Sequence, residues 1–114
     1  MSIEMSLLHS LETDGSDMLS IPLPDEAGYT VYSKTGCVYC DRVKALLEYE
    51  QVTVVDCDSF LLNDREWFLR TMRVLCGRDY QMFPMVFHHG RFLGGYDDTK
   101  EYYQSSLVNM LEDF

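Results

Sequence analysis

A short β-prone run, Tyr29-Thr-Val-Tyr-Ser33, leads through Lys34-Thr-Gly36 directly into a helical stretch, and Cys37 and Cys40 sit at that junction. This strand-to-helix corner constrains the chain more than any other segment. The helix predicted over about Val38 to Glu50 carries Val43, Leu46 and Leu47 on one face. Behind it, Val52-Thr-Val-Val-Asp56 is rich in β-branched residues, as a buried strand is. Two strands joined by one crossover helix run parallel with a right-handed connection, so the corner predicts an α/β sheet.

The segments that follow extend this unit. A second helix is predicted over about Asn63 to Cys76, because Phe68, Leu69, Met72, Leu75 and Cys76 recur at helical spacing. Asn63 with Glu66 three residues on reads as a capping box, and Gly77 as the stop. Pro84-Met-Val-Phe-His88 and Arg91-Phe-Leu93 read as two strands of a hairpin turning at His89-Gly90. Gly94-Gly95 breaks the chain, and Asp97 or Asp98 caps a last helix with Tyr103, Leu107, Met110, Leu111 and Phe114 on one face. The order is β-α-β-α-β-β-α: a thioredoxin-like α/β fold, with a mixed four-stranded sheet flanked by helices. Residues 1–27 stand apart as an acidic N-terminal extension without Lys or Arg, read as a flexible arm in which Leu7, Leu8 and Leu11 can form a turn or two of helix. Residues 28–114 form the domain.

The formal net charge of −10 disfavours nucleic acid and anionic membranes as partners, since a basic patch supplies most of that affinity. No run reaches the roughly 18 apolar residues of a membrane span, and the N-terminus lacks the basic flank and apolar stretch of a signal peptide. The chain is therefore expected to be soluble and cytoplasmic, where the four cysteines, Cys37, Cys40, Cys57 and Cys76, read as a redox pair plus two core thiols rather than as a disulfide framework.

The chemistry of the pair follows from its position. Thiolate, not thiol, attacks a disulfide. At the start of a helix, unpaired N–H groups and the positive dipole end face the Cys37 sulfur, and such positions lower a cysteine pKa to roughly 3.5–7.5. Lys34 adds positive charge. Cys40 lies one turn inward, within disulfide reach but less open to solvent, so Cys37 attacks and Cys40 resolves. A zinc site would need a second close pair. Cys57 and Cys76 are 19 residues apart, and His88 and His89, adjacent on a strand, are expected to point to opposite faces; no metal is expected. Two further segments admit a plain and a functional reading. Pro84 reads by spacing as an ordinary trans proline opening an edge strand, or as a cis residue exposing the Phe83 backbone to an extended substrate. Gly94-Gly-Tyr-Asp-Asp98 reads as a helix cap or as a holder for an α-amino acid, its N–H groups taking the carboxylate and an Asp the amine.

Three segments together, Ser33-Lys-Thr-Gly-Cys-Val-Tyr-Cys40, Phe83-Pro84 and Gly94-Gly-Tyr-Asp-Asp98, fall in order and at about the spacing found in glutaredoxins. The chain resembles that family over residues 29 to about 111. Cys-Val-Tyr-Cys and Gly77-Arg-Asp look most like small glutaredoxins of T-even-type bacteriophages. The resemblance implies a glutathione-dependent thiol–disulfide oxidoreductase, acting as a monomer on disulfide-containing or glutathionylated proteins. Glutathione is then a co-substrate. In the phage-like case ribonucleotide reductase is the implied client and the host cytoplasm the location. It also implies roles for single residues. Lys34 would pair with the glycyl carboxylate of glutathione, Tyr39 would line the groove, and Phe83 would bond the cysteinyl part through its backbone. Pro84 would be cis. Tyr96 N–H and Asp97, with Asp98 beside them, would hold the γ-glutamyl end. Arg78 and Arg70 are candidates for a second basic contact.

The chain departs from the family pattern at three places. Val38 replaces the proline common between the cysteines, Met82-Phe83 replaces the usual Thr-Val, and the stretch from Gly77 to Pro84 is about two residues longer. Thioredoxin itself fits less well: its Trp-Cys-Gly-Pro-Cys is missing, and Trp67 lies far along the chain. The alternative function is an iron–sulfur carrier, in which two chains share a cluster through Cys37 and two glutathiones.

Overall fold

In the computed structural model, residues 20–112 are described, and the run Tyr29–Ser33 forms the strand β1 at the heart of the sheet. The elements follow as α1 (Val38–Leu46), β2 (Val52–Asp56), α2 (Asp58–Cys76), β3 (Met85–His88), β4 (Arg91–Gly94) and α3 (Tyr96–Glu112). The strand order is β2-β1-β3-β4. β1 and β2 run parallel, from Tyr29 opposite Val52 to Ser33 opposite Asp56. β3 runs antiparallel to β1 and pairs with β4 as the expected hairpin. The thioredoxin-like mixed four-stranded sheet with helices on both faces is therefore the fold observed.

All five β1 residues are buried because both faces of the strand are covered. Side chains alternate across a strand. Tyr29 and Val31 join Val43, Leu47 and Val86 under α1 and α3, while Tyr32 packs with Phe87, Phe60, Phe68 and Met72 under α2. Within the second cluster Phe68 stacks between Phe60 (ring centroids 5.8 Å apart) and Phe83 (6.0 Å). This column of rings runs from the core to the residue that precedes Pro84.

Several element boundaries differ from expectation, each for a local reason. α1 ends at Leu46 instead of Glu50, because Leu47 leaves the helical region and the next N–H groups close short turns, Glu48 onto Ala45 and Glu50 onto Leu47. α2 starts at Asp58 and kinks at Asp64, which leaves the helical region at φ −159°. There the Asp64 carboxylate accepts the Trp67 N–H at 3.1 Å, so Asp64, not Asn63, caps the part of α2 that follows the kink. Gly77 ends α2 in the left-handed region at φ 78°, as expected of a terminating glycine. β2 is an edge strand in which only Val55 is buried and Val52 is partly covered, not a buried strand. His89 adopts φ 52° in the hairpin turn. Its ring therefore stacks on His88 at 3.9 Å instead of pointing to the opposite face.

The N-terminal boundary also moves. Tyr32 is fully buried, and a buried phenol needs a hydrogen-bond partner. Its hydroxyl donates to the Pro22 carbonyl at 2.6 Å. The Asp25 N–H donates to Thr30 Oγ1 at 2.9 Å, the Thr53 hydroxyl donates to the Asp25 carboxylate, and Ile21 packs on the core. The chain from Ile21 to Asp25 thus belongs to the packed domain, earlier than the boundary expected at residue 28. Leu7, Leu8, Leu11 and Phe114 lie outside the described residues. On α3, Tyr96 and Tyr103 pack inward, whereas Leu107, Met110 and Leu111 are exposed, so the expected apolar face is covered only over its first half. Among the described residues no helix is long and apolar enough to cross a membrane.

Candidate active site

Three loops at the C-terminal end of β1, the start of β3 and the start of α3 bring the chemistry together. The first runs from Ser33 to Cys37. Gly36 turns it at φ 74°, a conformation that costs a side-chain-bearing residue but not glycine. The Asp58 carboxylate pins the loop from the side, accepting the Thr35 N–H at 2.9 Å and the Thr35 hydroxyl. Those bonds, led by the hydroxyl, hold the Asp58 carboxyl below its ordinary range, with Lys34 adding to the effect. Asp58 in turn is placed by its own N–H, which donates to Asp56 at 3.0 Å.

Cys37 is the N-cap residue of α1, with extended backbone angles, and its sulfur accepts the Cys40 N–H at 3.1 Å. That N–H is one of the four a helix start leaves unpaired; aimed at sulfur, it stabilises negative charge there. Cys37 and Cys40 are joined as a disulfide, with Cα atoms 5.2 Å apart. Cys37 is half-buried and Cys40 fully buried, so only the first sulfur is open to attack from outside. Cys57 and Cys76 are buried free thiols, as expected of core cysteines. Burial pushes them up to about 12 and about 11 respectively, which keeps both protonated and unreactive. Among the described residues no group of three or more His, Cys, Asp or Glu side chains could hold a metal ion.

The Phe83–Pro84 peptide bond is cis. Beside it lies a cavity of about 240 Å³ walled by Tyr39, Tyr80, Met82, Phe83, Pro84, Gly95, Tyr96, Asp97 and Asp98. Six of the eight residues expected to bind glutathione therefore line one space. Lys34 stands next to it, its ammonium 5.4 Å from the centre of the Phe83 ring, close enough for cation–π attraction. Tyr39 is half exposed and faces Tyr96 across the cavity, ring centroids 5.8 Å apart. α3 begins at Tyr96 rather than after Asp97 or Asp98: the Thr99 N–H closes onto the Gly95 carbonyl at 3.1 Å, which puts both aspartates in the first turn.

Two expected residues are elsewhere. The Arg78 guanidinium sits over the Phe92 ring at 4.9 Å and the Tyr80 ring at 5.6 Å, and it does not line the cavity. Its charge is drawn to two aromatic faces instead. Arg70 lines a separate cleft with Glu66, Leu69, Arg73, Asp79 and Gln81. Conversely, Tyr80 and the Thr35–Asp58 pair belong to the site without a motif to mark them, and Met82, a departure from the family pattern, lines the cavity as well. The one signal for Tyr80 was an aromatic residue within the long stretch between Gly77 and Pro84.

A cysteine capping a helix, its partner buried a turn behind and a cis proline just ahead of the neighbouring strand place this chain among the thioredoxin-fold domains that carry a C-x-x-C pair. Within that class it belongs to the glutaredoxin family, whose family model, Glutaredoxin, matches residues 29–93. Glutaredoxin-C8 of Oryza sativa subsp. japonica is 35% identical over 86 residues, covering 71% of this chain and 60% of the rice protein. Glutaredoxin-C4 of Arabidopsis thaliana is 37% identical over 85 residues, covering 71% and 58%. The chain thus spans about three-fifths of the length of these relatives. Among solved structures, the holo form of glutaredoxin C1 from Populus tremula x tremuloides superposes with a TM-score of 0.59 at 35% identity, over 78% of this chain and 87% of that one. A buckwheat glutaredoxin–glutathione complex superposes with a TM-score of 0.56 at 26% identity, over 96% and 94%.

Proposed function

We propose that this protein is a glutathione-dependent thiol–disulfide oxidoreductase that reduces protein disulfides and glutathione mixed disulfides. The observation that carries the reading is the asymmetry of the pair: a half-buried Cys37 sulfur on a helix N-terminus, bonded to a fully buried Cys40. In the two-thiol route the Cys37 thiolate attacks a client disulfide. A bond forms between Cys37 and one client sulfur, and the other leaves as thiolate. The Cys40 thiolate then attacks the Cys37 sulfur, the client departs fully reduced, and the Cys37–Cys40 disulfide closes. One glutathione thiolate reopens it at Cys37, freeing Cys40. A second attacks the glutathione sulfur, releasing oxidised glutathione and the Cys37 thiolate. Two electrons pass from two glutathiones to one client disulfide. In the one-thiol route Cys37 takes the glutathionyl group directly and Cys40 is not needed.

The cavity beside the cis proline supports glutathione as the co-substrate: it combines a helix N-terminus, two carboxylates and the Phe83 backbone, with Lys34 at its edge. The glutathione-bound buckwheat relative supports the same choice. The phage-like motif around Cys37 and at Gly77-Arg-Asp supports ribonucleotide reductase as a client and a host cytoplasm as the location. Two buried free thiols suit a reducing compartment. We take the acting form to be a monomer.

The test is a glutathione-coupled disulfide reduction assay on three proteins. Cys37→Ser is expected to abolish turnover, and Cys40→Ser to keep deglutathionylation while losing reduction of protein dithiols. Equal activity in all three would defeat the reading. A stable visible chromophore with dimerisation, on anaerobic addition of iron and sulfide, would favour the carrier alternative.

A further inference from the structure

Tyr80 lines the cavity from the loop between Gly77 and Phe83 and its ring packs against the core, but the thiol chemistry does not call for a phenol hydroxyl there. Its ring is fixed from two sides. Phe92 meets it edge-on with centroids 5.0 Å apart, and the Arg78 guanidinium covers both rings. The clamp presents the hydroxyl to the start of α3: a Cβ on Gly95 would come within 2.7 Å of the Tyr80 oxygen. Glycine at 95 is thereby explained by the approach of this phenol, not by backbone angle. The residue lines the same space as Gly95, Tyr96, Asp97 and Asp98. Burial raises its pKa, and the Asp98 charge adds to this, so it stays a donor at neutral pH.

An α-amino acid group brings one carboxylate and one ammonium. The unpaired N–H groups at the start of α3 suit the carboxylate, and Asp97 and Asp98 suit the ammonium. A rigid phenol O–H beside them supplies a further donor at no cost in ordering a mobile side chain. We propose that Tyr80 is a specificity-determining residue whose hydroxyl donates to the α-carboxylate of the γ-glutamyl end of glutathione. This rests on the glutathione reading above and adds to it a residue from the loop that precedes the cis proline. Its consequence is selectivity. A thiol that lacks the γ-glutamyl group gains nothing from Tyr80, whereas glutathione loses a charge-assisted bond when the hydroxyl is removed.

The experiment uses the full chain, reduced, in single-turnover reactions read by mass. Two small mixed disulfides of 2-mercaptoethanol are compared, one with glutathione and one with cysteinylglycine. In each, Cys37 bonds to the peptide sulfur and 2-mercaptoethanol leaves, so no other reactant is needed. The measured quantity is the ratio of the two second-order rate constants. Wild type is expected to favour the glutathione disulfide. Tyr80→Phe, which keeps the ring contacts with Phe92 and Arg78, is expected to lower that ratio about ten- to 150-fold by slowing only the glutathione reaction. A wild-type preference that Tyr80→Phe retains in full overturns the role of Tyr80 and leaves γ-glutamyl recognition standing. Equal slowing with both substrates also overturns it, since that marks a structural role. No wild-type preference overturns γ-glutamyl recognition, and the role of Tyr80 with it.

Discussion

Replacing Phe68 by leucine tests whether the stacked rings couple the core to the site wall. Phe68 is fully buried, nearly parallel to Phe60 (interplanar 10°) and to Phe83 (9°). Leucine keeps the site apolar but removes both ring pairs, each contributing about 0.5–1.5 kcal/mol beyond the area buried. The small void adds a fraction of a kcal/mol. The expected loss is about 2–3 kcal/mol. With a urea dependence of about 1–3 kcal/mol per molar for a small domain, the unfolding midpoint should fall by roughly 0.7–3 M. The comparison is Met72→Leu, also fully buried but not part of the ring column, for which a volume-conserving change costs less than about 1.5 kcal/mol. Both variants are unfolded fully reduced, so that the disulfide does not enter the equilibrium. If Phe68→Leu costs no more than Met72→Leu, the stacking argument is wrong.

Three further outcomes are expected. Cys57 and Cys76, with thiols raised by burial to about 12 and about 11, should resist iodoacetamide in the folded reduced protein and react in guanidinium; native labelling at the rate of a free thiol would contradict their burial. The Asp58 carboxyl is lowered in the folded state by its Thr35 bonds from an ordinary value of 3.8, so it stabilises the fold above that pH and the contribution is lost as pH falls through the lower folded value. Asp58→Asn should therefore flatten the decline of unfolding free energy below pH 3.8, and an unchanged decline would refute the contribution. Gly77 has φ 78° with open space around a would-be Cβ, so Gly77→Ala should cost only the left-handed conformation, about 1–2 kcal/mol; an unchanged thermal midpoint would contradict it.

Much of the fold was legible because its signals are local. The β-branched strands, the helix faces at Val43 and Met72 and the glycine stop at 77 each declare themselves within one element. The misreadings came where distant groups decide. Asp64 rather than Asn63 caps the second part of α2 because the chain kinks there. β2 lies at an edge because β3 takes the other side of β1, which no property of Val52–Asp56 reveals. The packing of Ile21 to Asp25 follows from a buried phenol at Tyr32 in need of an acceptor. At the site, the cysteines and the Gly-Gly-Tyr-Asp-Asp segment were legible as motifs. Arg78 lies outside the cavity lining because two aromatic rings draw its charge, a contact that spacing does not show. Tyr80 and Asp58 act through contacts with Gly95 and Thr35 that sequence spacing does not show.

The ionisation of Cys37 is measured most directly as the rate of its carboxymethylation against pH, in reduced Cys40→Ser protein with labelled positions read by mass. The helix start behind the sulfur should give an inflection at least one unit below the roughly 8.5 of a free cysteine, with fast reaction persisting at neutral pH. An inflection at the free-cysteine value, or a Cys37 that does not react in the folded protein, would contradict its assignment as the attacking thiolate.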